Sequence, residues 1–163
     1  MDITAQEPET GPTQPVSNWF MFVYALTYLA VYIALFTPLL ATIAVKIGQI
    51  APPADTAKNL GIVLSPGAFA ALIAAPIFGA ISDRTRFGFG KRKTWIVAGA
   101  AITLLGLMMM ALGTSLTMLA IGWFAVQIGS NASLAAANAL LPEHVPEFQR
   151  GRVSALLGIA LSL

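Results

Sequence analysis

Five of the nine lysines and arginines of this chain fall in residues 84–93, directly after Asp83, in the stretch GAISDRTRFGFGKRK (residues 79–93). Guanidinium, ammonium and carboxylate groups crowded together can cradle a phosphate, hold a loop at a membrane surface, or form ion pairs that open and close. Gly88, Gly90 and Lys91 make a Gly-x-Gly-Lys, the core of a phosphate-binding loop. Such a loop needs Ser or Thr after its lysine to hold magnesium, and a strand in front. Here Arg92 follows Lys91 and the preceding residues form an apolar helical run, so that chemistry is excluded. A purely positive loop at a membrane surface accounts for the basic residues but not for Asp83. A carboxylate at the mouth of an apolar helix is costly unless paired, and Arg84 and Arg86 follow at once. Gly79 stands one helical turn before Asp83, where its small size lets another helix approach.

A second polar set is embedded in apolar sequence. Gln127, Asn131 and Asn138 recur at i, i+4 and i+11, within about 40° of one another around a helix. Tyr24, Thr27, Tyr28 and Tyr32 cluster in the same way in an earlier segment. Buried amides must find hydrogen-bond partners. Solute hydroxyls at a cavity wall would serve, and so would a neighbouring helix; the tyrosines likewise suit either a cavity or plain packing. Nothing in the chain points to catalysis or to a bound metal or other cofactor. There is no cysteine, and the apolar segments hold no nucleophile–base pair, metal cluster or paired carboxylates. His144, the single histidine, sits beside Glu143 outside these segments and is assigned no role.

The elements that must carry these groups follow from composition. The chain of 163 residues is 57% hydrophobic and 10% charged, with a mean hydropathy of +0.78. A soluble domain carries about 25% charged residues. Four blocks, about 19–45, 60–82, 94–112 and 115–141, contain no charge. About 20 apolar residues span the hydrocarbon core as a helix, so each block is long enough. A fifth block starts at 153 and reaches the last residue after eleven positions. At about 1.5 Å per residue it covers roughly half of the core, so the fifth helix is expected to be truncated. The fold class is therefore an all-α membrane protein, a polytopic helix bundle, with the lipid bilayer as its first partner. Pro38 is expected to interrupt the first helix, and Ser65–Pro66–Gly67 and Pro76 the second. Residues 1–18, with three acids, no basic residue and several Pro, Gly and Thr, read as a disordered leader rather than a cleaved signal.

Charge asymmetry orients the bundle. Lys and Arg gather in cytoplasmic loops. The loops after the second and fourth blocks hold Arg84, Arg86, Lys91, Arg92, Lys93, Arg150 and Arg152, against Lys46 and Lys58 in the first loop. A multi-pass protein of the cell membrane with a cytoplasmic N-terminus is expected. The positive balance is thereby explained without nucleic acid.

The pattern Gly79-x-x-x-Asp83-Arg84 followed by Gly90-Lys91-Arg92, placed between the second and third blocks, resembles the loop signature of the major facilitator superfamily. The longer form, SDR…FGKRK, is similar to the glycoside–pentoside–hexuronide:cation symporters and the sucrose transporters, which usually have Arg in place of Gly88 and Pro in place of Thr94. Pro146-Glu147 followed by Arg150-Gly151 resembles the segment leading into the fifth helix of those carriers. The resemblance covers residues 19–163 and implies the first four to five helices of a twelve-helix fold, partnered by a missing C-terminal half. It implies transport of a small polar solute, such as a sugar, by alternating access, in which one half rocks against the other. It also implies roles. Asp83 would face a helix N-terminus of the missing half, and Arg84 and Arg92 would pair with Glu143. Gln127, Asn131, Asn138, Tyr24 and Tyr28 would line the solute pathway. No Asp, Glu, Lys, Arg or His lies inside the four complete blocks, so a coupling ion would be held elsewhere, or the carrier is a uniporter. The competing reading is a non-transporting membrane subunit or scaffold of four to five helices that assembles with a partner.

Overall fold

The computed structural model describes residues 12–85 and 90–162. Residues 1–11 of the expected leader, Arg86, Phe87, Gly88 and Phe89 of the basic loop, and Leu163 lie outside the described residues. The elements are α1 (Asn18–Thr37), a π-helical turn (Pro38–Thr42), α2 (Ile43–Ile50), a short 3-10 turn (Pro53–Asp55), α3 (Thr56–Arg84), α4 (Lys91–Leu112), α5 (Leu116–His144) and α6 (Glu147–Ser162). Among the described residues, four stretches are long and apolar enough to cross a membrane: Asn18–Ile50, Pro53–Arg84, Lys91–Leu112 and Leu116–His144. Together with α6 they form the all-helical bundle expected from the uncharged blocks.

Helix ends extend past those blocks, because a charged side chain does not stop a helix when it finds a partner there. Lys46, expected in the first loop, lies on α2 and donates to the carbonyls of Ala111 (2.6 Å) and Gly113 (3.5 Å) at the end of α4. A cation at the last carbonyls of a helix satisfies orphan acceptors and the negative end of its dipole. α6 begins six residues before the expected 153, at Glu147. At the other boundary α1 starts at Asn18, where Ser17 accepts from the Phe20 N–H.

Proline acts differently in the first two spans. Pro38 lacks the N–H of an interior helical residue, and there the helix widens into its π turn, with the Thr42 hydroxyl donating to the Thr37 carbonyl. The interruptions expected at Ser65–Pro66–Gly67 and Pro76 do not occur: α3 runs unbroken through both prolines. Each proline removes a single backbone bond, and the Ser65 hydroxyl occupies the Gly61 carbonyl close to the first of them.

α5 is the centre of the bundle, packed against α4 on one side and α3 on the other. Glycines set both distances. A Cβ on Gly99 would lie 2.5 Å from the Gly129 carbonyl, and one on Gly129 the same distance from the Gly99 carbonyl; Gly106 and Gly122 face each other likewise at 2.7 and 2.9 Å. The two antiparallel backbones thus touch at two points one heptad apart, the close approach that small residues permit in membranes. Gly67 of α3 lies under the indole of Trp123 of α5. Ile43, Ile47, Val63, Met110, Leu119, Trp123 and Val126 form the core at the end where α4 turns into α5. Met21, Tyr24, Tyr28, Ala137, Val145 and Val153 form the core at the opposite, basic end. Large apolar side chains such as Leu40, Leu72, Val97, Leu105 and Leu112 point outward, as a lipid solvent requires.

Candidate functional site

The residues at the basic end assemble on Arg92. Gly90 precedes α4 with φ of +91°, a conformation that residues with a Cβ rarely adopt. Arg92 is 7% exposed and uses its whole fork. Nη1 donates to the Ser82 hydroxyl at 2.9 Å; Nη2 donates to Asp83 at 2.6 Å and to Glu143 at 2.7 Å; Nε reaches the second Glu143 oxygen at 3.3 Å. Lys91 adds an ion pair to Glu143 at 2.9 Å. One guanidinium therefore joins the last turn of α3 to the last turn of α5. Planar, always-charged arginine suits a bidentate carboxylate contact in a way lysine does not. Beside it the Trp95 indole donates to the Thr85 hydroxyl (2.9 Å) and packs on Phe78, closing the α3–α4 corner.

The fork separates residues that the motif lists together. Arg92 meets both Asp83 and Glu143, whereas Arg84 is exposed and makes no ion pair among the described residues. Asp83 keeps 62% of its side chain exposed, with only one oxygen taken by Arg92. Apart from its own helix backbone and chain neighbours, no described atom lies within 4 Å of a Cβ placed on Gly79 or on Gly151, so the close helix approach expected at Gly79 is not made by any described part of this chain. Arg150 donates to the Val145 carbonyl (3.1 Å) and reaches Glu147 at 3.4 Å, bracing the turn between α5 and α6. Ser82 was not singled out by the motif, though its place beside Asp83 puts it in reach of the same fork.

The second polar set lies further along α1 and α5. Tyr24 donates to the Ala137 carbonyl at 3.0 Å, and Tyr28 donates to Asn138 Oδ1 at 2.5 Å. The two phenol oxygens are 3.2 Å apart. The tyrosines belong to a longer aromatic row at i, i+4 spacing, Phe20–Tyr24–Tyr28–Tyr32–Phe36, with consecutive ring centroids 5.1–6.1 Å apart. Thr27 is outside it and bonds back to the Val23 carbonyl. Of the three amides, Asn138 alone bonds across to another helix. Asn131 donates to the Gln127 carbonyl of its own helix at 2.9 Å, and among the described residues the Gln127 amide meets no partner. The amide stripe is thus partly exposed on one face of the central helix, and among the described residues its Gln127 side chain is unpaired.

A bundle of long apolar helices, with a charge cluster at one end and a polar face on its central helix, is the architecture of a polytopic membrane protein. The family model of the Major Facilitator Superfamily matches residues 11–163, and the chain belongs to that family. Membership implies a secondary transporter. No curated protein and no solved structure gives a significant match.

Proposed function

We propose that the protein moves a small, polar, hydroxyl-bearing solute by alternating access, with the basic end in the cytoplasm and the amide face of α5 against the solute path. The observation that carries this reading is the unpaired Gln127 amide beside Asn131. An amide turned to hydrocarbon forfeits its hydrogen bonds at a cost of roughly 2–7 kcal/mol, so this face belongs against water, solute or another polar surface. The aromatic row on α1 supplies flat apolar surface next to it, and Asn138, with its oxygen occupied by Tyr28, has its NH2 free to donate. The lysines and arginines at the Asp83 end support the orientation through the positive-inside bias. In this scheme Arg92, Asp83 and Glu143 hold the cytoplasmic ends of α3, α4 and α5 together while the path opens outward, and the exposed side of Asp83 is left for the second half of the carrier. Asn131→Ala in the complete carrier tests the pathway assignment. Losing one hydrogen bond is worth about 0.5–1.5 kcal/mol, roughly a 2- to 12-fold weaker solute affinity, with folding unchanged. Unchanged affinity with lower stability would mean that the amide serves helix packing.

A further inference from the structure

Gln149 lies in the first turn of α6 and is 8% exposed, yet neither the charge cluster nor the aromatic row uses it. Its side-chain amide is turned to the backbone of Val16, ahead of the first span. The Val16 N–H donates to Gln149 Oε1 at 2.8 Å, and Gln149 Nε2 donates to the Val16 carbonyl at 3.4 Å. One side chain thus satisfies both polar groups of one residue, as a neighbouring strand would in a sheet. The Val16 side chain packs on the core of Met21, Tyr24, Ala137, Val145 and Val153. Pro15 restricts the preceding residue to extended conformations, which keeps the segment open to this pairing until Ser17 caps α1. The receiving turn is itself held, by the Gln149 N–H on the Pro146 carbonyl (2.9 Å) and by Arg150 on the Val145 carbonyl. Phe20 stacks on His144 alongside, at 6.4 Å between centroids.

We propose that this clip is a strap that locks the entry segment, residues 12–17, onto α6. It makes the start of α1 and the start of α6 move as one body, and it seals the basic end of the aromatic row from water. It is distinct from the charge cluster: Arg92 joins α3 and α4 to α5, whereas Gln149 joins α1 to α6 and does so through neutral groups. Any motion that separates the start of α1 from α6 has to break it.

The chain contains no cysteine, so one introduced thiol is a clean reporter. Met21→Cys, buried beneath the strap, is reacted with a water-soluble maleimide in membranes carrying Gln149, Gln149→Glu or Gln149→Leu. Gln149→Glu keeps the acceptor for the Val16 N–H and loses the donor to its carbonyl; Gln149→Leu loses both. The labelling rate should rise about 2- to 12-fold for each bond lost, in the order Gln, Glu, Leu. Hydrogen exchange at the Val16 amide should accelerate in the same order. If Gln149→Leu fails to fold, the Gln149→Glu comparison decides alone. Equal labelling and equal Val16 exchange across the folded series would overturn the strap.

Discussion

Replacing Arg92 by lysine keeps the charge and removes the fork. Arg92 makes four contacts from three nitrogens: to Ser82, to Asp83 and twice to Glu143. A lysine has one nitrogen on a straight stem and cannot reach all three partners from one position. It would keep Glu143, which Lys91 already engages, and release Ser82 and Asp83. The Asp83 contact contributes little to the loss, since that carboxylate is 62% exposed and water replaces the bond; exposed pairs are worth about 0–1 kcal/mol. The Ser82 hydroxyl is fully buried, and a bond from a charged donor to it is worth about 1.5–3 kcal/mol. Arg92→Lys should therefore destabilise the bundle by about 2 kcal/mol, roughly a 30-fold change in the unfolding equilibrium. Arg92→Leu, which also strips Glu143 of its bidentate partner, should cost more. Equilibrium unfolding in mixed detergent micelles, read by tryptophan fluorescence, gives both values. If Arg92→Lys unfolds with the parent, or Arg92→Leu is no worse than Arg92→Lys, the cluster does not fasten these helices.

Gly129→Ala should be destabilising by about 1–3 kcal/mol, the usual cost of overpacking, because its Cβ would stand 2.5 Å from the Gly99 carbonyl; Gly79→Ala, interior to α3 with open space around it, should not destabilise this chain and should stabilise it by up to about 1 kcal/mol through helix propensity. Lys93→Cys, exposed in the first turn of α4, should react with membrane-impermeant thiol reagents in inverted vesicles and not in intact cells. Labelling in intact cells would reverse the orientation.

The bundle was legible because the lipid solvent imposes a coarse rule, about 20 apolar residues per crossing, and the uncharged blocks obey it. Their ends were not, because termination depends on tertiary partners: Lys46 continues the first span by capping α4, and nothing near Lys46 in sequence announces that. The proline positions were visible but their effects were not, since only Pro38 falls where the helix widens while Pro66 and Pro76 are absorbed. Paired glycines one heptad apart on neighbouring segments, Gly99 and Gly106 against Gly122 and Gly129, were a readable packing signal left unread. At the charged end the resemblance pointed to the Arg92–Glu143 pair, which forms, but spacing does not distinguish Arg84 from Arg92, and Arg84 stays exposed with no ion pair among the described residues. Gln149 carried no signal at all, because a bond to backbone leaves no pattern in side-chain types.

The central claim is that the amide face of α5 borders a water-filled solute path rather than lipid. Thiol accessibility tests it most directly, with Asn131→Cys on that face and Leu105→Cys on the outer face of α4, where the side chain is 65% exposed. In native membranes a small hydrophilic methanethiosulfonate should modify Asn131→Cys and spare Leu105→Cys, since a thiol in hydrocarbon stays protonated and unreactive. If Asn131→Cys is as inert as Leu105→Cys from both sides of the membrane, the face is sealed by lipid or protein, and the account of a solute path along α5 is wrong.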